Sequence, residues 1–166
     1  MQRTSVVDGA EFFQLGYVTG DLDGAMATWR SRYAVPDFFV FSPRDFPAPE
    51  GMAVPMRIAI GYQGSVVIEL IEPDPADAGL YKGALRSDGG TMLHHLGYLV
   101  DEGTFANYPK QIAELGIKMP FLIESDELRV LYADTREDSG LFTEIVGRSA
   151  AISRMFANIP RSSAAA

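Results

Sequence analysis

Both histidines of the chain, His94 and His95, stand side by side in MLHHLGYLV (residues 92–100). Side chains alternate across a strand, so the two rings point to opposite faces. His95 then shares its face with Gly97 and Leu99, and the glycine leaves space beside it. The Leu-Gly-Tyr after His95 occurs once earlier, in FFQLGYVT (residues 12–19), where Gln14 takes the place of the histidine and Gly16 that of the glycine. A second echo follows in the same order. VVIELIE closes the first half of the chain and LFTEIVG the second, enclosing Glu69 and Glu144 among Val, Ile, Leu and Phe. Gln14 precedes Glu69 by 55 residues, and His95 precedes Glu144 by 49. An ionised carboxylate in mid-strand is costly unless it is paired or bound to a cation. Neither glutamate has a Lys or Arg two residues away on its own strand. Four polar groups at equivalent places in paired halves could therefore converge on a pseudo-twofold axis. His94, on the other face, reads as structural, and Glu72, at a strand exit, as a solvated carboxylate.

The elements that must carry these groups follow from periodicity and punctuation. FFQLGYVT reads as a strand rich in aromatic and β-branched residues. Asp21 can cap a helix in which Leu22, Ala25, Met26, Trp29 and Tyr33 fall on one face, a stripe that reads as core rather than as a ligand box. Pro36 ends that segment. DFFVF (37–41) is the next strand, and SPRDFPAPEG (42–51) a proline-rich loop that could form a lid or rim. VPMRIAIGYQ (54–63) and SVVIELIE (65–72) make a hairpin about Gln63-Gly64. Residues 73–91 read as a connector with a short helix around 76–85. After the strand at 92–100, a helix is expected at roughly 104–115, with Phe105, Tyr108, Ile112 and Leu115 on one face and Gly116 as its stop. KMPFLIE (118–124), ELRVLYAD (127–134) and GLFTEIV (140–146) are three more strands. SAAISRMFANIP is a short helix, and RSSAAA a frayed end. Each half thus runs strand, helix, strand, strand, strand, and the fixed order marks a duplication.

Composition narrows the function. A net charge of −8, with no stripe of Lys and Arg, disfavours nucleic acid. The absence of cysteine removes disulfides, thiol nucleophiles and thiolate metal sites together. No apolar run approaches a membrane span, and the first residues lack a signal-peptide pattern. A cytoplasmic protein that recognises a small molecule in a pocket is the expectation.

On the motifs QLGYVTGDLD, VVIELIEP, HHLGYLVDE and DSGLFTEIV, across residues 12–147, the chain resembles the vicinal oxygen chelate superfamily. That group contains glyoxalase I, methylmalonyl-CoA epimerase, extradiol dioxygenases and bleomycin-resistance proteins. The resemblance implies an α+β fold of two tandem βαβββ modules, forming a cupped, U-shaped mixed sheet around a metal-binding cleft. The first module would span residues 10–75, the connector 76–91, the second module 92–148, and the C-terminal helix and tail 149–166. It also implies that Gln14, Glu69, His95 and Glu144 are the ligands of one divalent metal ion: Zn, Ni, Co, Mn or Mg. One imidazole with three oxygen donors suits such a borderline-to-hard cation.

The function implied is proton transfer next to a carbonyl through a metal-stabilised enolate, in an isomerase, epimerase or lyase of the glyoxalase or epimerase type. Glu144 or Glu69 would carry the proton. The substrate would be a small carbonyl compound or thioester, and Arg57, Arg129 and Tyr132 on middle strands could orient it, as could Tyr62. Phe38, Phe39, Phe41 and Phe46 could line a pocket, although a core role suits them better. The alternative is a metal-free binding protein of the bleomycin-resistance type. A ring-cleaving extradiol dioxygenase fits less well, because Gln14 and Glu69 stand where two histidines and open positions are wanted. The strand faces and acidic surface permit a homodimer.

Overall fold

Asp21 starts the first helix with its side chain. Its carboxylate accepts a hydrogen bond from the Gly24 N–H at 3.0 Å, satisfying one of the donors a helix leaves open at its N-terminus. The helix α1 (Leu22–Tyr33) follows, with Asp23 in its first turn and Arg30 and Arg32 in its last, each of the sign that complements the helix dipole. Its end lies at Ala34, a residue held in the left-handed region (φ 55°), ahead of Pro36. Before α1 comes the strand β1 (Glu11–Val18); after it come β2 (Phe39–Phe41), β3 (Met56–Gln63) and β4 (Val66–Pro73). Gly64, at φ 61°, makes the β3–β4 turn as expected for Gln63-Gly64. The connector holds a 3-10 helix (Gly79–Ala84). This computed structural model describes residues 5–42 and 55–161. Most of the 42–51 loop, its Phe46, and the end of the tail lie outside the described residues.

The second module repeats the order. Its strand β5 (Met92–Asp101) leads to α2 (Glu102–Phe105) and α3 (Tyr108–Glu114), and β6 (Phe121–Glu124), β7 (Arg129–Ala133), α4 (Arg136–Ser139) and β8 (Phe142–Arg148) follow. The single helix expected at 104–115 is instead two short ones. Pro109, in the first turn of α3, has no N–H to return to the preceding turn, and its ring crowds that turn, so the helix restarts around it. Gly116 stops α3 with φ 73°. Leu115, expected on the buried face, is 38% exposed, and Tyr33 at the end of α1 is 46% exposed. Both stand at the C-terminal end of their helix. The one-turn α4 has no counterpart in the sequence reading. The last helix is α5 (Ala150–Ala157), capped by Ser149, whose hydroxyl accepts from the Ile152 N–H at 3.1 Å.

The chain divides into two compact units, residues 14–94 with 158–161 and residues 5–13 with 95–157. In the first unit the strand order is β2-β3-β4-β1, with β1 parallel to β4 and the remaining pairs antiparallel. In the second it is β6-β7-β8-β5, with β5 parallel to β8 and the other pairs antiparallel. The two units therefore share one topology.

In each unit the strands pack one face on that unit's own helical segment. In the first unit Leu22, Ala25, Met26 and Trp29 of α1 pack with Val35, Phe38, Ala59, Ile68 and Leu70. In the second, Phe105, Tyr108 and Ile112 pack with Val100, Leu131, Ala133 and Ile145, and Val6, Val7 and Ala10 add to that core. Burial of each Val, Leu, Ile, Met or Phe among them stabilises the fold by about 1.5–3 kcal/mol. The Tyr108 hydroxyl also donates to the Asp8 carbonyl at 2.5 Å, tying the N-terminal segment to α3.

Candidate metal and active site

The strand face turned away from each helix carries the polar groups singled out in the sequence. In the first unit the β1–β4 register sets Gln14 beside Val67 and Gly16 beside Glu69. Residues directly across a ladder share a face, so Gln14, Gly16, Val18, Val67, Glu69 and Ile71 line one side. In the second unit Gly97 lies beside Glu144 and His95 beside Phe142. The same rule puts His95, Gly97, Leu99, Phe142, Glu144 and Val146 together. In both modules, then, a glycine without a side chain faces a glutamate, and the residue two positions before that glycine is the glutamate's polar partner.

The pairs are made. Gln14 Nε2 donates to Glu69 Oε2 at 3.1 Å. His95 Nε2 stands 3.4 Å from Glu144 Oε2. All four residues are buried, His95 completely. Glu69, His95 and Glu144 each present a buried ligand atom of a type that binds divalent metals. A carboxylate in such a place needs a hydrogen bond or a cation to offset lost hydration; the Gln14 amide supplies a hydrogen bond to Glu69, and the His95 imidazole stands within ion-pair distance of Glu144.

Tyr132 pairs directly with Glu144 across β7–β8 and so shares its face. Its ring meets His95 edge-on at 5.1 Å between centroids and Phe121 at 5.7 Å. Phe142 lies 6.3 Å from the same ring. Phe121 and Phe142 went unremarked in the sequence, yet strand parity already sets Phe142, two residues before Glu144, on the glutamate's face. In the first unit Ile60 takes the place opposite Glu69, with Tyr62 on the same side. Phe39 and Phe41, paired with Ile60 and Ile58, share that face, whereas Phe38 belongs to the α1 core.

The two arginines lie elsewhere. Arg57 pairs across the ladder with Glu72, one step out of phase with Glu69, and so sits on the α1 face. It bonds Glu72 at 3.2 Å and Asp23 at 3.0 Å, and Glu72 in turn accepts from the Leu22 N–H at the start of α1. Arg129 likewise stands one step out of phase with Tyr132 and pairs with Glu102 at the start of α2. Both guanidiniums are engaged in ion pairs on the helix side of their sheets, opposite to Glu69 and Glu144. His94 contacts the Leu80 carbonyl through Nε2 at 3.3 Å and packs on Tyr81 at 5.0 Å, which ties β5 to the 3-10 helix.

Comparisons with known proteins bear on the family and the fold. Residues 13–118 match the family profile described as the glyoxalase/bleomycin resistance protein/dioxygenase superfamily. Comparison with curated protein sequences gives no significant match. Methylmalonyl-CoA epimerase from Mycobacterium tuberculosis has a similar structure, with a TM-score of 0.59 and 15% identity over 93% of this chain and 97% of that chain. The Streptomyces coelicolor methylmalonyl-CoA epimerase in complex with 2-nitronate-propionyl-CoA gives a TM-score of 0.60 and 19% identity over 86% and 96%. A hypothetical protein from Bacillus halodurans C-125 gives 0.58 and 15% over 84% and 95%. At these identities the structural likeness is one of fold, and the profile match over more than half of the sequence decides the family. The chain belongs to the glyoxalase/bleomycin resistance protein/dioxygenase superfamily.

Proposed function

We propose that the protein is a metal-dependent enzyme that moves a proton on the carbon next to a carbonyl, with a small carbonyl compound or an acyl-CoA thioester as substrate. Gln14, Glu69, His95 and Glu144 are its ligand set, and epimerisation is the reaction the reading favours among isomerase, epimerase and lyase. The observation that carries the proposal is the repeated register: Gly16 beside Glu69 and Gly97 beside Glu144, each glutamate with a buried polar partner. A structural role for two buried carboxylates gives no reason to set a glycine beside each of them. A substrate or ion that needs room beside each carboxylate does.

The donor set fits a divalent cation, with one imidazole and oxygen donors from one amide and two carboxylates. Such an ion, when bound, offsets the negative charge that develops on a substrate carbonyl oxygen. The chain's own groups perform the remaining steps. One glutamate takes the proton from the carbon, the C–H electron pair passes into the carbonyl, and a proton returns to the same carbon to restore the bond. Inversion calls for return on the opposite side, and two carboxylates, one per module, suit that division. Phe121, Tyr132 and Phe142 give Glu144 an apolar surround that keeps water from competing for the proton. The structures of methylmalonyl-CoA epimerases among the similar folds make methylmalonyl-CoA the first substrate to try.

The test pairs elemental analysis of the purified protein with incubation of methylmalonyl-CoA in deuterated water, followed by proton NMR. The expected result is bound divalent metal, or activation on loading one, and deuterium entering the carbon between the two carbonyls. Protein that takes up no metal and exchanges no proton with a panel of acyl-CoA and α-hydroxythiol substrates would instead be a binder of the bleomycin-resistance type.

A further inference from the structure

On the opposite face of β1 from Gln14, the first unit has a concavity of about 700 Å³ that no step above uses. We propose that it is a binding site for a small organic cation, an ammonium group carried on an apolar or aromatic body.

Its back wall is aromatic. Tyr17 and Trp29 lie 5.0 Å apart between ring centroids, and Trp29 and Tyr33 lie 4.4 Å apart. Trp29 is largely covered by the core behind it, but it also lines the cleft, and Tyr33 stands at the rim with nearly half its surface exposed. Burial, and then the neighbouring Tyr33, push the Tyr17 phenol above its usual range, which favours the neutral form. Uncharged aromatic faces gathered in this way attract cations through the negative potential of the rings.

The polar groups agree in sign. Two carboxylates, Asp21 and Asp88, line the cleft, and among the described residues the lining contains no Lys, Arg or His. Asp88 is bonded to Arg86, which holds its carboxyl well below the usual range. Among the described residues Asp21 makes no ion pair; one of its oxygens caps α1. That cap also answers the positive end of the helix, the feature that would otherwise favour an anion here. The cleft wall is held by a close backbone approach: the Thr19 hydroxyl donates to the Gly89 carbonyl at 3.3 Å, and a Cβ on Gly20 would meet the Gly89 Cα at 3.3 Å. With Asp88 matched by Arg86, the charge of Asp21 stands over the aromatic wall, and a cleft so built selects for positive charge. Its volume falls within the usual range for small-molecule sites, about 300–1,000 Å³.

Trp29 is the chain's single tryptophan, so its emission reports occupancy directly. Titration with benzyltrimethylammonium is expected to give a saturable change, while phenylacetate and benzyl alcohol give none. Asp21→Asn keeps the helix cap and removes only the charge, and it weakens binding about fivefold. Tyr33→Ala, at an exposed position, also weakens it about fivefold. Deuterium exchange at the other face stays unchanged in both variants, so this site and the proposed reaction fail independently. No saturable change up to about 10 mM, equal binding of the anion or the neutral alcohol, or wild-type affinity in both variants would overturn the proposal.

Discussion

Replacing His95 by alanine separates a metal site from a merely structural ion pair, because the two roles predict different responses to added metal. The His95 ring is fully buried and its Nε2 lies 3.4 Å from Glu144, whose side chain is 8% exposed. Removing the ring takes one polar partner from a buried carboxylate, a change that costs about 1–3 kcal/mol. It also removes the edge-on contact with Tyr132. This loss is expected in chelator-treated protein whichever role is right. Metal decides between the roles. An ion that binds only the folded chain adds RT ln(1 + [L]/Kd), about 2.7 kcal/mol at a hundred times Kd. For a chain of this size that raises the melting temperature by roughly 5–11 °C. The assay is thermal unfolding followed by circular dichroism, with chelator and then with a divalent ion in excess. Wild type is expected to rise by that amount, while His95→Ala and Glu144→Gln rise little or not at all. A full rise in His95→Ala would show that the ion binds elsewhere, and the reasoning from paired modules to a shared ligand set would be wrong.

Three other outcomes follow from the same structure. Glu144→Gln keeps the shape and an acceptor for His95, so it costs stability only about 1 kcal/mol, yet deuterium exchange into substrate is expected to drop about 10²–10⁴-fold; exchange near the wild-type rate would remove Glu144 from the proton path. Gly61→Ala places a Cβ 2.7 Å from Val35 Cγ1 and 2.9 Å from the Asp37 carbonyl oxygen, and overpacking of that kind costs about 1–3 kcal/mol in urea unfolding. Arg30 beside Asp37 and Arg136 beside Asp134 hold both carboxyls below their usual range. A depressed carboxyl stabilises the folded state above its unfolded pKa and loses that contribution as pH falls through the folded value, so Asp37→Asn and Asp134→Asn should match wild type most closely in strong acid and fall behind it as pH rises past 4. The effects are small because both pairs are solvated; carboxyl NMR titration checks the direction.

Much of this protein was readable along the chain because its signals are local. Strand alternation alone places Gln14 with Gly16 and His95 with Gly97, since two residues two apart cannot face different ways. Asp21 announces α1 because a carboxylate that can reach back to the Gly24 N–H is a property of a few consecutive residues. The duplicated motifs exposed the βαβββ order for the same reason. What the sequence could not settle is which face of a strand looks at which neighbour. Period two relates residues within a strand, but only the ladder register relates one strand to the next. Arg57 and Arg129 therefore looked as eligible as Tyr132, and the register then set both arginines on the helix side and Tyr132 across from Glu144. The pairing of Gln14 with Glu69 and of His95 with Glu144 likewise spans dozens of residues and exists only once the parallel strands are side by side. The cleft beside Trp29 is tertiary in the same sense. A tryptophan on a helical stripe reads as core, and its second surface emerged only when the connector loop was laid against the turn before α1.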